Sequence, residues 1–433
     1  MSAPTRPVGV VTGLGVVAPS GLGEQPLWET ALAAASRITP IERFDPSPYA
    51  VRVAGQVPDF DASEHLESAR VQQMDRWSHL GMAAATQALV SAGLDQVAAE
   101  DGALDPYACG VCLASSSGGN IFGQQELQRL WSQERRSVSA YQSIAWFYAA
   151  TVGQASIRHQ FKFQSTVLAA EAAGAIDSLA QATRSIRRGG QVILAGGTEC
   201  PLSPYALVCH LDSGLLAAAD EQTRAYAAYS ADARGHLLGE GGAVVVVEEA
   251  ERAAARGATA RAEVAGWAAT HDARPWSPLS TGGEPAGPGH EHYARAIEHV
   301  LTRAGICAAD IAAVLPDAMG VAAFDRAEAR AIQAAGVTAP VTSVKPVLGR
   351  ATQGGSAIDV ALAVLMLEHG VIPPFAGPRT ADDGFGLDLP STARPLDGDH
   401  VLVLARGRDG FNSALVLSRP TRRASRPARK EAA

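Results

Sequence analysis

Val10-Val-Thr-Gly-Leu-Gly-Val-Val-Ala18 places a nearly continuous apolar run at the start of the chain, ahead of a glycine turn. A short valine-rich run bounded by turn residues is typical of a buried strand, so a strand is predicted over 9–17. Helical periodicity follows over 26–35 and again over 77–92. A buried strand followed by helices predicts the first βα unit of a layered α/β fold.

The same order continues along the chain and begins again after residue 250. In the first half the predicted strands are 108–114, 191–195 and 243–248, and the predicted helices are 120–132, 143–159 and 172–188. In the second half they are strands 262–269, 312–315, 341–344, 401–405 and 414–417 and helices 292–304, 326–335 and 354–369. Asn120 is placed to cap the helix that it begins. The repeated order predicts a duplicated architecture.

Three segments are therefore expected: an N-terminal half over 1–250, a C-terminal half over 251–418 and a tail over 419–433. The tail carries several arginines among proline and serine, which predicts a disordered, solvated end. A contact between this basic tail and an acidic partner is the alternative interpretation.

Composition restricts the class of protein. The 433 residues are 47% hydrophobic but only 6% aromatic, with abundant alanine, glycine and valine, which favours α/β over all-β. A formal net charge of −8 argues against nucleic acid as a partner, because phosphates need a basic surface. No apolar run approaches the roughly 20 residues of a membrane span, so no membrane association is expected. The expected partners are proteins or uncharged chains.

The five cysteines are an odd number without a secretory signal, which predicts a reducing cytoplasm and no disulfide framework. Cys109 and Cys112 form a C-x-x-C pair, but they lie three residues apart on a predicted strand. Their side chains then face opposite sides of the sheet, so no metal or redox site is expected there.

Several ordered motifs resemble the condensing enzymes of fatty-acid and polyketide synthesis, the beta-ketoacyl synthases. They are the opening strand, Arg43-Phe-Asp-Pro46, Gly196-Gly-Thr198, Gly239-Glu-Gly-Gly242 and Glu368-His-Gly-Val-Ile-Pro-Pro374. Within that superfamily, Ser137-Val-Ser139, Ala145-Trp-Phe-Tyr148 and Gly153-Gln-Ala-Ser-Ile-Arg-His159 resemble the bacterial aromatic-polyketide ketosynthase pair. The similarity covers about residues 7–418. It implies a thiolase fold, a duplicated five-layer αβαβα architecture, and no cofactor or metal.

The resemblance also locates three catalytic positions, none of which keeps its group. A condensing enzyme uses a cysteine at a helix N-terminus and two histidines. This chain has Ala172 at the cysteine position and Met319 and Arg350 at the histidine positions, and it retains only Lys345. It therefore resembles the non-catalytic beta subunit, or chain-length factor, which pairs with a ketosynthase alpha subunit that keeps all three.

In this family the beta subunit shapes a dry tunnel for the growing polyketide chain, which is delivered on an acyl carrier protein. Asn120, Gly123 and Leu127 match the positions of its gating residues, and their spacing places them on one helix face. Tyr205 and Leu207 are further candidate walls. Because glycine and leucine leave room at 123 and 127, the resemblance implies a long product, about a decaketide or more.

Other functions stay open at this stage. One is an active acyltransferase with an unusual nucleophile, Ser165 or Glu171; another is a pure stabilising scaffold for the alpha subunit. Relatives mostly have glutamine at position 172, so Ala172 argues against a decarboxylase role, and Glu171 is interpreted as a helix-start carboxylate. The segment Gly407-Arg-Asp-Gly-Phe-Asn412 resembles the family's gate loop, and a polyene-type product is an alternative to an aromatic one.

Overall fold

The fold is that of a computed structural model, which describes residues 7–94, 104–218, 226–273, 288–377 and 384–420. The strands are β1 Gly9–Ala18, β2 Gly21–Leu22, β3 Ile38–Pro40, β4 Val53–Gly55, β5 Cys109–Ala114, β6 Ser165–Leu168, β7 Val192–Glu199, β8 Gly241–Glu249, β9 Ala262–His271, β10 Ile311–Leu315, β11 Val371–Ile372, β12 Arg394–Pro395, β13 His400–Arg406 and β14 Phe411–Ser418. The α-helices are α1 Glu24–Ala33, α2 Ser68–Val71, α3 Arg76–Ser91, α4 Asn120–Ser132, α5 Gln142–Ala145, α6 Ala150–His159, α7 Gly174–Ile186, α8 Pro204–Asp212, α9 Ala250–Ala255, α10 Glu291–Ala304, α11 Ala322–Ala334, α12 Lys345–Leu348 and α13 Gln353–His369.

The main sheet consists of two halves with the same topology. Its neighbour order is β10-β13-β14-β9-β1-β8-β7-β5-β6. In the first half, the first to fifth strands along the chain are β1, β5, β6, β7 and β8. They lie in the sheet in the order first, fifth, fourth, second and third. The second half repeats this order, with Val341 bridged to Val314 in the place of its third strand. The strand directions also correspond, since within each set of five strands only the pairs that include the fifth strand are antiparallel.

Helices form three layers around the two halves. Helices α3 and α6 pack on the outer face of the first half, and α10 packs on the outer face of the second with α11 beside it. Helices α7 and α13 contact strands of both halves and form the middle layer. The halves meet edge to edge where β1 and β9 pair over two residues. The predicted five-layer αβαβα architecture is confirmed; the boundary at residue 250 stays a prediction.

Strand β1 is buried along its whole length, and its glycines allow helix α3 to approach closely. A Cβ atom added at Gly15 would lie 2.0 Å from the carbonyl oxygen of Ala84, and one added at Gly13 would lie 2.1 Å from that of Ala88. Both neighbours are backbone atoms of α3, which cannot move aside as a side chain would. The opening motif therefore fixes the distance between the first strand and the first long helix.

Three details of the predicted secondary structure are wrong. The predicted helix 143–159 is two helices, α5 and α6, separated at 146–149, and the predicted strand 341–344 is reduced to one bridge. Asn120 does not cap α4, because the cap position is Gly119 and no side chain of the helix start caps it. Instead, the carboxylate of Asp75, at the start of α3, accepts a hydrogen bond from the Phe122 backbone N–H at 2.6 Å.

Other expectations concern exposure and the tail. Cys109 and Cys112 lie on β5 as predicted and are buried, as is Cys200, whereas Cys209 and Cys307 are exposed. In the described part of the chain, no helix has the length and apolarity needed to cross a bilayer. Most of the predicted disordered tail, from 421 onward, falls outside the described residues.

Candidate functional site

The position predicted for a nucleophile holds Ala172, in a 3₁₀ turn, Glu171–Ala173, that leads directly into α7. Ala172 is buried, and its carbonyl accepts a hydrogen bond from Ser356 Oγ at 2.5 Å. Glu171 has a φ of +48°, in the left-handed region that is costly for a residue with a side chain. The turn keeps a sharply bent geometry before the helix, but a methyl group offers no atom that could attack a thioester.

The Arg350 guanidinium occupies the centre of this site. Its Nη1 lies 2.7 Å from Glu171 Oε1, and its Nη2 lies 3.1 Å from both carboxylate oxygens of Asp317. The same Nη2 donates to the carbonyl oxygen of Arg406 at 3.0 Å. Arg350 is only 2% exposed, so these charges interact with little screening by water. We call Glu171, Arg350 and Asp317 the ion triad.

The charge states of the triad follow from this geometry. Burial opposes ionisation of both Glu171 and Arg350, but it is outweighed by their ion pair together with the charge of Asp317 beside Arg350 and the backbone hydrogen bonds to Glu171. The Arg350 guanidinium therefore lowers the pKa of Glu171 below its ordinary value, and Asp317 and Glu171 raise the pKa of Arg350. Both groups are charged at neutral pH. A permanent cation held by two carboxylates cannot accept and return a proton, so the site has no general base at this position.

The other two positions are also without catalytic groups. The Met319 side chain packs with Leu215 and Phe324 in a small apolar cluster, so it supplies no donor for an oxyanion. Lys345 Nζ donates to the carbonyl oxygen of Pro316 at 2.7 Å and forms a buried ion pair with Asp359. The retained lysine therefore connects α12 to α13 and to the segment that carries Met319.

A cavity of about 200 Å³ remains beside the triad, and it contains two histidines that the sequence analysis missed. His210 comes from α8, and His236 from the segment before β8. Burial lowers the pKa of His210 to about 4 and that of His236 well below its ordinary value. No motif marks these residues, and they come from two segments that are separate in the chain. Ser165 is exposed on β6 and does not line it.

Acidification is expected to destabilise the chain through His159 and His210. Burial lowers the pKa of each imidazole to about 4, while an unfolded histidine titrates near 6.5. Between about pH 6.5 and 4 the unfolded chain binds protons that the folded chain does not, so stability falls as the pH falls. Each histidine should cost about 2 kcal/mol at pH 5.

Thermal unfolding at pH 7.5 and pH 5 measures this effect. The variant His159→Gln/His210→Gln should lose less stability between the two pH values than the parent chain. His299→Gln, an exposed substitution on α10, is the matched control and should keep the parent's pH dependence. A double variant as acid-sensitive as the parent would contradict the assignment.

The predicted gating residues do come together. A second cavity, of about 340 Å³, is lined by Asn120, Gly123, Gln124, Leu127, Gln142, Trp146 and Tyr205. Leu207 is not among them: it is buried in the core on the other face of α8. Residues 120, 123 and 127 thus lie on one face of α4 and form one wall of the cavity, as their helical spacing predicted. The role of these residues in gating stays a prediction.

Gly123 lies against the aromatic side chain of Trp146, on the segment between α5 and α6. A Cβ atom added there would be 2.8 Å from Cδ1 of Trp146 and 3.5 Å from its Nε1. The room that this glycine leaves is therefore occupied by the indole. Across the cavity, Tyr205 is attached to α4 through its backbone N–H, which donates to Gln124 Oε1 at 2.8 Å.

The cavity opens on a surface rich in exposed apolar side chains. We call this surface the apolar face; it comprises Leu127, Trp131, Tyr141, Ile144, Trp146, Phe147, Tyr148, Tyr205 and Val208. Trp131 has the most exposed side chain of this set, at 83%. The buried carboxylate of Glu126 supports this face, because it accepts from Arg129 and from the Ser139 backbone N–H. Contiguous exposed apolar surface on a folded protein marks an interaction site.

No group of three potential ligands among His, Cys, Asp and Glu could hold a metal ion within the residues that the structure describes.

The loop between β13 and β14 lies over the ion triad, where the Arg408 backbone N–H donates to Glu171 Oε2 at 3.2 Å. This is the segment predicted to resemble the family's gate loop.

Comparison with known proteins agrees with this geometry. The model of the beta-ketoacyl synthase N-terminal domain matches residues 6–253, and that of the C-terminal domain matches 261–378. The tetracenomycin polyketide synthase ketoacyl synthase beta subunit of Streptomyces glaucescens is 45% identical over 97% of this chain and 100% of its own length. An actinorhodin polyketide putative beta-ketoacyl synthase 2 from Streptomyces coelicolor is 41% identical, over 95% and 98%.

Solved structures show the same fold. The ishigamide ketosynthase/chain length factor superposes with a TM-score of 0.85 at 25% identity, covering 96% of this chain and 100% of its own. A ketosynthase in complex with a type II polyketide acyl-carrier protein, AntDE:AntF, gives a TM-score of 0.83 at 22% identity over 96% and 100%. The chain belongs to the beta-ketoacyl synthase family, and within it to the ketosynthase beta subunits, or chain-length factors, of type II polyketide synthases.

Proposed function

We propose that this chain is the non-catalytic beta subunit of a ketosynthase heterodimer and that its cavity at α4 limits the length of the polyketide. The observation that carries the proposal is the ion triad. It fills the catalytic centre with one buried guanidinium fixed between two carboxylates, where a condensing enzyme needs a thiol and two imidazoles. A chain built in this way contributes surface and volume rather than bond-making groups.

The partners follow from the apolar face and from the relatives. A relative's solved structure is a ketosynthase/chain length factor, and another contains an acyl-carrier protein with its ketosynthase. We infer that the apolar face packs against a ketosynthase alpha subunit in a pseudo-twofold heterodimer. The cavity at this face would then continue the alpha subunit's tunnel, which receives the growing chain from an acyl carrier protein.

The cavity lining suits a poly-β-ketone chain. Leu127 and Trp146 offer apolar surface, while the amides of Asn120, Gln124 and Gln142 offer hydrogen-bond donors to ketone oxygens. A wall of this kind excludes water without binding any one carbonyl tightly. Such surroundings protect a reactive chain until it reaches its full length.

Enlarging two cavity residues should shorten the product. The variant Gly123→Thr/Leu127→Phe adds about six heavy atoms to a packed wall, roughly the bulk of two ketide units. We expect the released polyketide to be about one or two ketide units shorter. The measurement is the mass of the polyketide made by this chain when it is co-expressed with its alpha subunit and acyl carrier protein.

The matched control is Val90→Phe, an equally exposed apolar position on α3 away from the cavity, which should leave the mass unchanged. A double variant that forms a stable heterodimer and releases the parent product would favour the pure scaffold instead. An acyl adduct on the isolated chain would favour the active acyltransferase. Against that alternative, Glu171 is already held by Arg350, and Ser165 lies outside the cavity of the degenerate site.

A further inference from the structure

The segment 146–149 separates α5 from α6 and brings Trp146 to the wall of the cavity at α4. The backbone of Trp146 is held from two sides. Its carbonyl oxygen accepts from the Gly119 N–H at 3.0 Å, and its own N–H donates to the carbonyl oxygen of Gln142 at 3.2 Å. The backbone is therefore attached both to the start of α4 and to α5.

Two glycines make this attachment possible. A Cβ atom at Gly118 would lie 2.5 Å from the carbonyl oxygen of Trp146, and one at Gly119 would lie 3.0 Å from its Cα. Gly118 also has a φ of +69°, which a residue with a side chain adopts only at a cost. Any larger residue at either position would push the backbone of Trp146 away from α4.

The indole of Trp146 behaves differently from its backbone. It is 52% exposed, and it lies against the Cα of Gly123, where an added Cβ would meet its Cδ1 at 2.8 Å. A half-exposed side chain on a fixed backbone can change rotamer without disturbing the fold. The width of the cavity between α4 and Tyr205 therefore depends on where the indole lies.

We propose that Trp146 is a specificity-determining residue for polyketide length, and that position 123 is glycine in order to admit the Trp146 indole against α4. This inference rests on the proposed function. It predicts that the space above Gly123 belongs to the tryptophan in the folded chain and becomes available to the polyketide only when the indole is smaller. Bulk at 123 then acts by displacing the indole into the cavity.

Truncation tests this directly. Trp146→Ala removes about nine heavy atoms, roughly the bulk of three ketide units, so we expect the product to lengthen by about one to three units. Trp146→Phe keeps an aromatic ring and should largely restore the parent length. The readout is the mass distribution of the polyketide released by the purified heterodimer with acyl carrier protein and malonyl units, together with the heterodimer's melting temperature.

Tyr107→Ala is the matched control, because Tyr107 is an exposed aromatic residue that belongs neither to the cavity lining nor to the apolar face. It should leave product length unchanged. A second test combines substitutions: Gly123→Thr should shorten the product in the parent but have little effect in the Trp146→Ala background. Such non-additivity is expected only if the two residues share one space.

The outcomes separate this inference from the proposed function. If Gly123→Thr/Leu127→Phe shortens the product while Trp146→Ala leaves its length unchanged, the proposed function stands and the role of Trp146 is overturned. The role is also overturned if Trp146→Ala only weakens the heterodimer, since the residue would then be an interface anchor. If neither variant changes the length, both proposals fail.

Discussion

Replacing Arg350 with alanine should lower the free energy of unfolding by about 3–5 kcal/mol, because it leaves Glu171 and Asp317 without the cation that both carboxylates contact. Arg350 is almost fully buried, so water cannot take over its role. Urea unfolding of the purified chain, monitored by circular dichroism, measures the loss. This is the largest effect that the structure predicts for a single side chain in the degenerate site.

An exposed ion pair provides the matched control. Arg394 lies 2.6 Å from Asp388 with both side chains more than two-fifths exposed, so Arg394→Ala should cost less than about 1 kcal/mol. Removing all three charges together, in Glu171→Gln/Asp317→Asn/Arg350→Met, should recover most of the stability lost in Arg350→Ala. If Arg350→Ala proved as mild as Arg394→Ala, the triad would not be the charge network described above.

Substituting Gly15 with alanine should destabilise the chain by about 3 kcal/mol, since the new methyl group would overlap the backbone of α3. The added Cβ would lie 2.0 Å from the Ala84 carbonyl oxygen, and relief requires a shift of the helix or of β1. The melting temperature and the free energy of unfolding in urea both report this loss.

Gly153, on the exposed side of α6, tests the same chemical change without the clash. A Cβ atom added there meets nothing within 4 Å, and alanine is the better helix former. Gly153→Ala should therefore be neutral or stabilise the chain by up to about 1 kcal/mol. Equal effects at the two glycines would show that the packing of α3 on β1 is looser than the distances indicate.

The sequence was sufficient to predict the layers of the fold but not the tertiary contacts between its elements. The buried runs of β1, β8 and the β13–β14 hairpin were recognisable because an apolar strand has a local signature. The bounds of α4 were predicted too, but its capping contact was not, because the Phe122 backbone N–H is bonded by Asp75, a residue 47 positions earlier in the chain. A cap of this kind depends on tertiary contact and leaves no local spacing to detect.

For the site, the resemblance identified which catalytic groups are missing and which residues stand in their place, but not how those residues interact. Arg350 was recognised as a permanent cation and Glu171 as a carboxylate at a helix start, yet nothing in their separation of 179 positions indicated that they bind each other. Likewise, the spacing of Asn120, Gly123 and Leu127 predicted a shared face. It could not indicate that Trp146, on another segment, covers that face.

The ion triad also bears on how readily substitutions could introduce condensing chemistry into this chain. Returning a cysteine to position 172 and histidines to 319 and 350 would remove the permanent charge of Arg350 and leave two buried carboxylates facing a weakly basic ring. The carboxylates would have to be neutralised before the arginine is lost, so the order of substitutions matters. Single substitutions toward a catalytic site would therefore pass through chains that are less stable than the present one.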